Sequence, residues 1–294
     1  MALALFSLTL LLASGLAAPV AYKPQYSSII VFGDSLSDNG LTYEVTNHTW
    51  PYDPSYYQGR FSNGPTWVED LAATLHVPLY DYARGGATVD NALVQGVTGN
   101  KSQILVPSLT DQVDEFLSKP HPDLSGALVV LFGGANDVYF NSNANPAAEA
   151  AAIGRLVIEL RDAGATHFLL PGYPDLASVP HGRRVDAQLR TKLSTYTKQL
   201  DVDLERVAQN ISSSSPGITI KVVNLQPLFD RIESGKNAFG FDQKGVTEPC
   251  LVGAYGEASH SVCSDPDRRV FFDDYHPSAK THALIADEVA KALY

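Results

Sequence analysis

Short unbroken apolar runs alternate along this chain with longer segments in which apolar positions recur every three or four residues. The first run, Ser28 to Phe32, is β-branched or aromatic almost throughout and predicts a strand buried on both faces, broken by Gly33 and Asp34. The runs Val77–Ala83, Ala127–Phe132, His167–Leu170 and Ile218–Leu225 repeat that pattern. Between them, Pro65 or Thr66 opens a predicted helix to about His76, with Trp67, Leu71 and Leu75 on one face. Further helices are predicted around Leu109–Leu117, from Pro146 to Ala163, from about Val185 to Asn210, and from Ser278 to Leu293; the SSSSPG run at 212–217 reads as a connector. Five strands alternating with helices predict an α/β fold with a five-stranded, mainly parallel sheet. A strand order of 2-1-3-4-5 places the reversal between the first and third strands, where the turns at Ser35, Gly85 and Asn136 converge.

Those turns carry the candidate chemistry. Ser35 lies just past a strand end, where a hydroxyl meets a ligand rather than the core, although an ordinary Gly-Asp-Ser turn with a helix cap has the same appearance. Asp38 is placed to stabilise that turn. Asp273 and His276 sit three residues apart on a turn before the last helix: a neutral imidazole there can take the proton of Ser35, and the carboxylate can fix its tautomer. A helix cap and a contribution to a metal site are the competing readings of that cluster. The other seven histidines have no acidic partner on a comparable turn and read as surface or packing residues. The N–H groups of Ser35 and Gly85 and the amide of Asn136 are candidate oxyanion donors. Between Tyr43 and Trp67 a loop rich in Pro, Gly and aromatic residues either walls a pocket beside Ser35, through Trp50, Tyr52, Tyr56, Tyr57 and Phe61, or packs onto the domain.

Composition narrows the setting. The 294 residues, 45% hydrophobic, suit one domain with a substantial core. A net charge of −11, none of it within residues 1–18, argues against nucleic acid and anionic membranes as partners. Residues 1–18 read as a secretory signal peptide too short to insert stably in a membrane, so a secreted protein is expected. Sequons at Asn47, Asn100 and Asn210 fit that route. In an oxidising compartment Cys250 and Cys263 are expected to pair, two buried thiols being the alternative. No residue spacing matches a zinc site.

GDSLSDNG with Ser35, DYARGGA with Gly85, GAND with Gly134 and Asn136, and DDYHP with Asp273 and His276 occur in that order. Together they resemble the four blocks of the GDSL or SGNH hydrolases, from about Ser28 to Leu293. The resemblance implies a three-layer flavodoxin-like fold over residues 28–294 and a serine esterase or lipase. In it Ser35 is the nucleophile, His276 the base and Asp273 its orienting acid; Ser35, Gly85 and Asn136 form the oxyanion hole, and no metal or organic cofactor is implied. The Gly-x-Ser-x-Gly elbow of the α/β-hydrolases is absent around Ser35. Asp81 stands where many relatives have Asn, which puts one local hydrogen bond in question; Asp274 is given no role. The likeness is strongest to secreted fungal members, including esterases that deacetylate plant carbohydrates. The blocks leave the acyl chain open, but the sequence has no long exposed apolar helix to serve as an interfacial lid. A small-molecule or oligosaccharide ester substrate with a short acyl chain is therefore expected, taken by a monomer. Lipase-like relatives share the same blocks. The different-class alternative is a non-catalytic secreted binding protein that holds its ligand with the loop from Trp50 to Phe61.

Overall fold

Apolar runs long enough to be covered on both faces become the strands of a parallel sheet, and the periodic segments between them become its covering helices. The computed structural model describes residues 25–52, 54–235, 237–256 and 258–293; the expected signal peptide, 1–18, lies outside the described residues. The chain begins with β1 (Ser28–Gly33), α1 (Leu41–Val45), α2 (Trp67–Leu75), β2 (Leu79–Asp81) and a small hairpin, β3 (Val97–Thr98) with β4 (Ile104–Leu105). It continues through α3 (Leu109–Leu117), β5 (Ala127–Phe132), α4 (Ala135–Phe140), α5 (Pro146–Asp162), β6 (His167–Gly172) and α6 (Pro180–Arg184). The last part comprises α7 (Ala187–Ser214), β7 (Thr219–Asn224), α8 (Gln226–Ser234), a second hairpin of β8 (Leu251–Val252) and β9 (Ser261–Val262), and α9 (Ala279–Leu293).

The central sheet has the order β2-β1-β5-β6-β7 and is parallel throughout, which is the expected 2-1-3-4-5 arrangement. Every residue of β1 and β5 is buried, and they pair residue for residue from Ser28 against Ala127 to Gly33 against Phe132. With right-handed crossovers, reversal of strand order after β2 puts α2 on one face of the sheet and α3, α5 and α7 on the other. Helix α9 completes the first layer by packing on α2, while α5 packs on α7. The edge strand β2 is shorter than the predicted 77–83, pairing with β1 over Leu79–Asp81. The serines at 212–214 do not form a connector: α7 runs through Ser214, with Ile211 buried.

Helix starts follow local chemistry. Thr66 and Glu69 make a capping box for α2, Ser108 and Asp111 one for α3, and Asn145 caps α5 with Pro146 at its first turn. Asp186 accepts the N–H groups of Gln188 and Leu189 at the start of α7; caps of this kind contribute about 1 kcal/mol each. No helix of the described residues is long and apolar enough to cross a membrane.

Several acids are held inside this frame. Burial pushes Glu149 on α5 up to about 7, although the Tyr196 hydroxyl on α7 bonds it and pulls the other way. Asp201 on α7 is also pushed up to about 7, by burial first and by Glu205 second. Asp34, at the end of β1, is pushed up to about 6 chiefly by burial. Each keeps its proton in the folded chain where the unfolded chain has already lost it, so stability declines as pH rises through that window. We therefore expect the unfolding temperature to be higher near pH ~5 than near pH ~8, and Glu149→Gln to narrow the difference. Thermal denaturation followed by circular dichroism at both pH values checks this; an unfolding temperature that rises between them would contradict it.

Candidate active site

The carboxyl ends of β1, β2 and β5 meet at the reversal of strand order, where an open parallel sheet leaves a crevice. The turn after β1 is organised by Asp34, whose carbonyl accepts the N–H groups of Ser37 and Asp38 and whose Oδ1 accepts that of Leu36. Its Oδ2 accepts the hydroxyl of Tyr173 at 2.6 Å. Gln112 of α3 closes the strand end: its Oε1 accepts the Gly33 N–H and its Nε2 donates to the Gly33 carbonyl, both at 2.9 Å. Ser35 is thereby held between fixed neighbours.

Asp273 and His276 come from the tight turn before α9. Phe272 N–H donates to the His276 carbonyl and Ser278 N–H to the Val270 carbonyl, which folds the segment back on itself. Asp273 Oδ1 accepts the N–H groups of Tyr275 and His276, each at 2.8 Å. The same carboxylate receives His276 Nδ1, 2.7 Å from Oδ2, and the Tyr56 hydroxyl, 2.6 Å from Oδ2. A carboxylate only accepts, so Nδ1 carries the hydrogen and Nε2 is left as the acceptor. Nε2 lies 2.7 Å from Ser35 Oγ. Burial alone would raise Asp273, which is wholly buried, but the adjacent His276 and the hydrogen bonds from His276, Tyr56 and Tyr275 outweigh it and hold the carboxyl below its ordinary value. The acid stays ionised behind the imidazole, which is what orients and stabilises an imidazolium. The ring of Phe61 covers His276, with centroids 5.0 Å apart.

The structure departs from the sequence expectation at Gly85. Asp38 is wholly buried and gathers the N–H groups of Gly40, Leu41, Thr42 and Gly85, and Thr42 Oγ1 also accepts the Gly85 N–H, at 2.7 Å. The Gly85 N–H therefore faces this buried carboxylate, and it is Gly86 that lines the cavity beside Ser35. Gly86 has φ +88°, and a Cβ there would stand 2.0 Å from the Val97 carbonyl oxygen, so the position admits only glycine. Among the described residues the N–H groups of Ser35 and Gly86 donate to no protein acceptor. Asn136, in the first turn of α4, lines the same cavity and uses one amide hydrogen on the Ala87 carbonyl, 2.8 Å away, leaving the second available.

The cavity has a volume of about 310 Å³. Trp50, Tyr139, His181, Tyr255 and Tyr275, linked by ring contacts, line it, as do Leu176, Leu225, Phe229 and Ile285; none of the described lining residues is Lys or Arg. The aromatic loop divides: Trp50 and Phe61 line the cavity, Tyr56 lies behind Asp273, and Tyr52 and Tyr57 are exposed. Tyr56 and Tyr173, on separate elements, reach the two acids of the site, and no local pattern announced either role. His181, read as surface or packing, bonds the Tyr275 hydroxyl at the cavity wall. Asp81 Oδ1 accepts the Ala83 N–H at 3.0 Å, while its buried Oδ2 has no hydrogen-bond partner among the described residues and burial pushes the carboxyl well above the ordinary range. Cys250 and Cys263 form a disulfide. Asn47, Asn100 and Asn210 are exposed.

The chain is 28% identical over 286 residues to the thermolabile hemolysin of Vibrio parahaemolyticus, covering 91% of this chain and 64% of the hemolysin, so it spans somewhat less than two thirds of that relative. It is 29% identical over 285 residues to a phosphatidylcholine-sterol acyltransferase of Aeromonas hydrophila, covering 92% of this chain and 80% of the other. A solved carbohydrate acetylesterase family member from Sinorhizobium meliloti has a TM-score of 0.50 at 12% identity, over 91% of this chain and 97% of its own, a likeness of fold. The model of GDSL-like lipases and acylhydrolases matches residues 29–289, the segment that holds β1, the three turns and the Asp273–His276 turn, and the chain belongs to that family.

Proposed function

We propose that this chain hydrolyses carboxylic esters through an acyl-enzyme on Ser35. The observation that carries the reading is the unbroken line from Ser35 Oγ through both nitrogens of His276 to Asp273, with each contact at 2.7 Å, at the wall of a cavity. His276 Nε2 takes the Ser35 proton as Oγ attacks the ester carbonyl, and the imidazolium returns it to the departing alkoxide. A water deprotonated by the same nitrogen then attacks the acyl-enzyme and releases the acid. The N–H groups of Ser35 and Gly86 and the free amide hydrogen of Asn136 are the donors for the oxyanion; Gly86 replaces Gly85 in this role, since the Gly85 N–H is bound by Asp38 and Thr42.

The substrate reading is a short acyl group, such as acetyl, on a carbohydrate. An aromatic wall without cationic side chains suits the face of a neutral sugar and offers nothing to a phosphate. A longer acyl chain is the second reading, favoured by the apolar patch of Leu176, Leu225, Phe229 and Ile285 and by the lipid substrate in the name of the Aeromonas relative. Secretion and glycosylation belong to the same proposal, supported by the exposure of all three sequon asparagines.

Ser35→Ala is expected to abolish hydrolysis of p-nitrophenyl acetate with an unchanged circular dichroism spectrum, and retained turnover would end the assignment. Gly86→Ala is expected to reduce kcat by about 10²-fold or more, by crowding the Val97 carbonyl and disturbing one oxyanion donor; parental kcat in a folded variant would remove Gly86 from the oxyanion site. Rates on p-nitrophenyl esters from acetate to palmitate, with acetate release from acetylated xylo-oligosaccharides, separate the substrate readings. A steep fall beyond butyrate with acetate release is expected, whereas retained activity on long chains would select the lipid-like reading.

A further inference from the structure

The buried acid of the triad has a partner that the triad itself does not require. Tyr56 lies 217 residues from Asp273 in sequence, yet its hydroxyl donates to Asp273 Oδ2 at 2.6 Å, the same oxygen that stands 2.7 Å from His276 Nδ1. Its ring is 2% exposed and packs edge-on against Phe272 and Phe61, and it does not line the substrate cavity. A phenylalanine would satisfy that packing equally well; the hydroxyl aimed at Asp273 is what the packing does not account for.

A second tyrosine stands behind the first. The hydroxyls of Tyr56 and Tyr255 are hydrogen-bonded to one another. Tyr255 belongs to the loop closed by the Cys250–Cys263 disulfide, and its ring packs on Trp50 at 5.2 Å and Tyr275 at 5.1 Å. This loop is tied to the segment that delivers the acid, since Cys250 N–H donates to the Phe271 carbonyl and Leu251 N–H to the Phe272 carbonyl. Two covalently distant segments thus stand in line behind one carboxylate oxygen, Tyr56 bonded to it and Tyr255 bonded to Tyr56.

Resting on the roles assigned above to Ser35, His276 and Asp273, we infer that Tyr56 is a positioning residue of the triad. Its hydroxyl, backed by Tyr255 in the disulfide-closed loop, holds Asp273 Oδ2 against His276 and limits how strongly that carboxylate draws a proton onto the imidazole. A hydrogen bond donated to a carboxylate disperses its charge, so a neighbouring imidazole feels less of it. Removing the donor concentrates the charge on the oxygen that faces His276 and favours the protonated ring, which cannot act as a base. Burial first and Asp273 second raise Tyr56 well above the ordinary phenol range, so it remains a donor throughout the working pH range.

The other titratable groups around the pair come from several elements. Asp34 approaches from the turn after β1, Tyr139 from α4, His181 and Arg184 from α6, and His282 from α9; Asp274 and Tyr275 flank the acid, with Asp274 paired to Arg184 and Tyr275 bonded to His181. His282 is pushed down to about 3, by burial first and His276 second, and stays neutral. Asp34, pushed up to about 6 chiefly by burial and facing His276, and His181, lowered from its ordinary value by burial first and Arg184 second, also change charge in the acid range; Asp34 is bonded to Tyr173 and His181 to Tyr275, neither of them to Tyr56 or Tyr255.

The test is Tyr56→Phe, studied by the pH dependence of p-nitrophenyl acetate hydrolysis and, without substrate, by NMR titration of the histidine ring protons. We expect kcat to fall ~10-fold with KM within about twofold, and the midpoint of the acid limb of kcat/KM to move up by about half a pH unit. The His276 ring resonances should titrate at correspondingly higher pH. Tyr255→Phe should move both in the same direction by a smaller amount. A parental pH profile and ring titration in Tyr56→Phe, or a loss of kcat with both unmoved, would overturn the inference by leaving Tyr56 a packing residue. Should Tyr56→Phe fail to fold, Tyr255→Phe decides alone, and an unmoved profile and titration in it would equally overturn the relay. Because the ring titration needs no ester, a chain inactive on every ester would defeat the proposed reaction while the tyrosine's effect is still read separately.

Discussion

One buried carboxylate, that of Asp38, joins two of the turns from which the site is built. Its oxygens accept N–H groups from Gly40, Leu41 and Thr42 on its own turn and from Gly85 at the end of the neighbouring strand. A carboxylate without these donors would carry a desolvation penalty of several kcal/mol, so once Asp38 is inside, both turns are obliged to close around it. The closure turns the Gly85 N–H inward and brings Gly86 to the cavity wall beside Ser35. The shape of the cavity wall beside Ser35 is therefore a consequence of how one buried carboxyl is satisfied.

The same logic recurs around the site. Asp34 is satisfied by Leu36 and Tyr173, Asp137 by the Val89 N–H beyond the Gly86 turn, and Asp273 by Tyr56, Tyr275 and His276. These carboxyls differ in acidity because their donors differ. Asp34 has two hydrogen bonds against complete burial and is pushed up to about 6; Asp273 has more donors and a facing imidazole, and is held below its ordinary value. Of these, Asp273 alone has donors and a facing imidazole that together outweigh burial, whereas burial pushes Asp34, Asp38 and Asp137 up. The carboxyls that burial pushes up serve as struts between loops, a use that loses stability as pH rises and gains fixed geometry at the cavity.

Electrostatic order of this kind needs a rigid support, and the parallel sheet supplies it. β1 and β5 are buried along their whole length and in register, so the turn carrying Ser35 and the turn carrying Asn136 begin from adjacent strands. The acid and base arrive from the other end of the chain on a turn cross-linked by its own backbone bonds and laid beside the disulfide-closed loop. Scaffold and loops thus divide the work: strands set the distance between Ser35 and Asn136, and the loops around Asp273 set the direction of His276.

What the sequence by itself determined is mostly what depends on neighbours along the chain. Apolar runs such as Ile29–Phe32 and Ala127–Phe132 predict buried strands because both faces of a strand repeat over two residues, and their alternation with helices gives the parallel sheet. Ser35, Asp273 and His276 were legible because a strand-end serine and an acid–base pair within one turn are local patterns, repeated here in the block order of a known family. The tertiary structure alone decided the contacts made between distant segments: that Asp38 takes the Gly85 N–H, that Gly86 faces the cavity, that Tyr173 reaches Asp34 and Tyr56 reaches Asp273, and that Trp50 and Phe61 turn inward while Tyr52 and Tyr57 do not. Hydrogen-bond partners of buried groups are selected by where folding brings donors in space. No one-dimensional pattern encodes that, because a tyrosine positioned to bond an acid has the same local sequence as one that only packs.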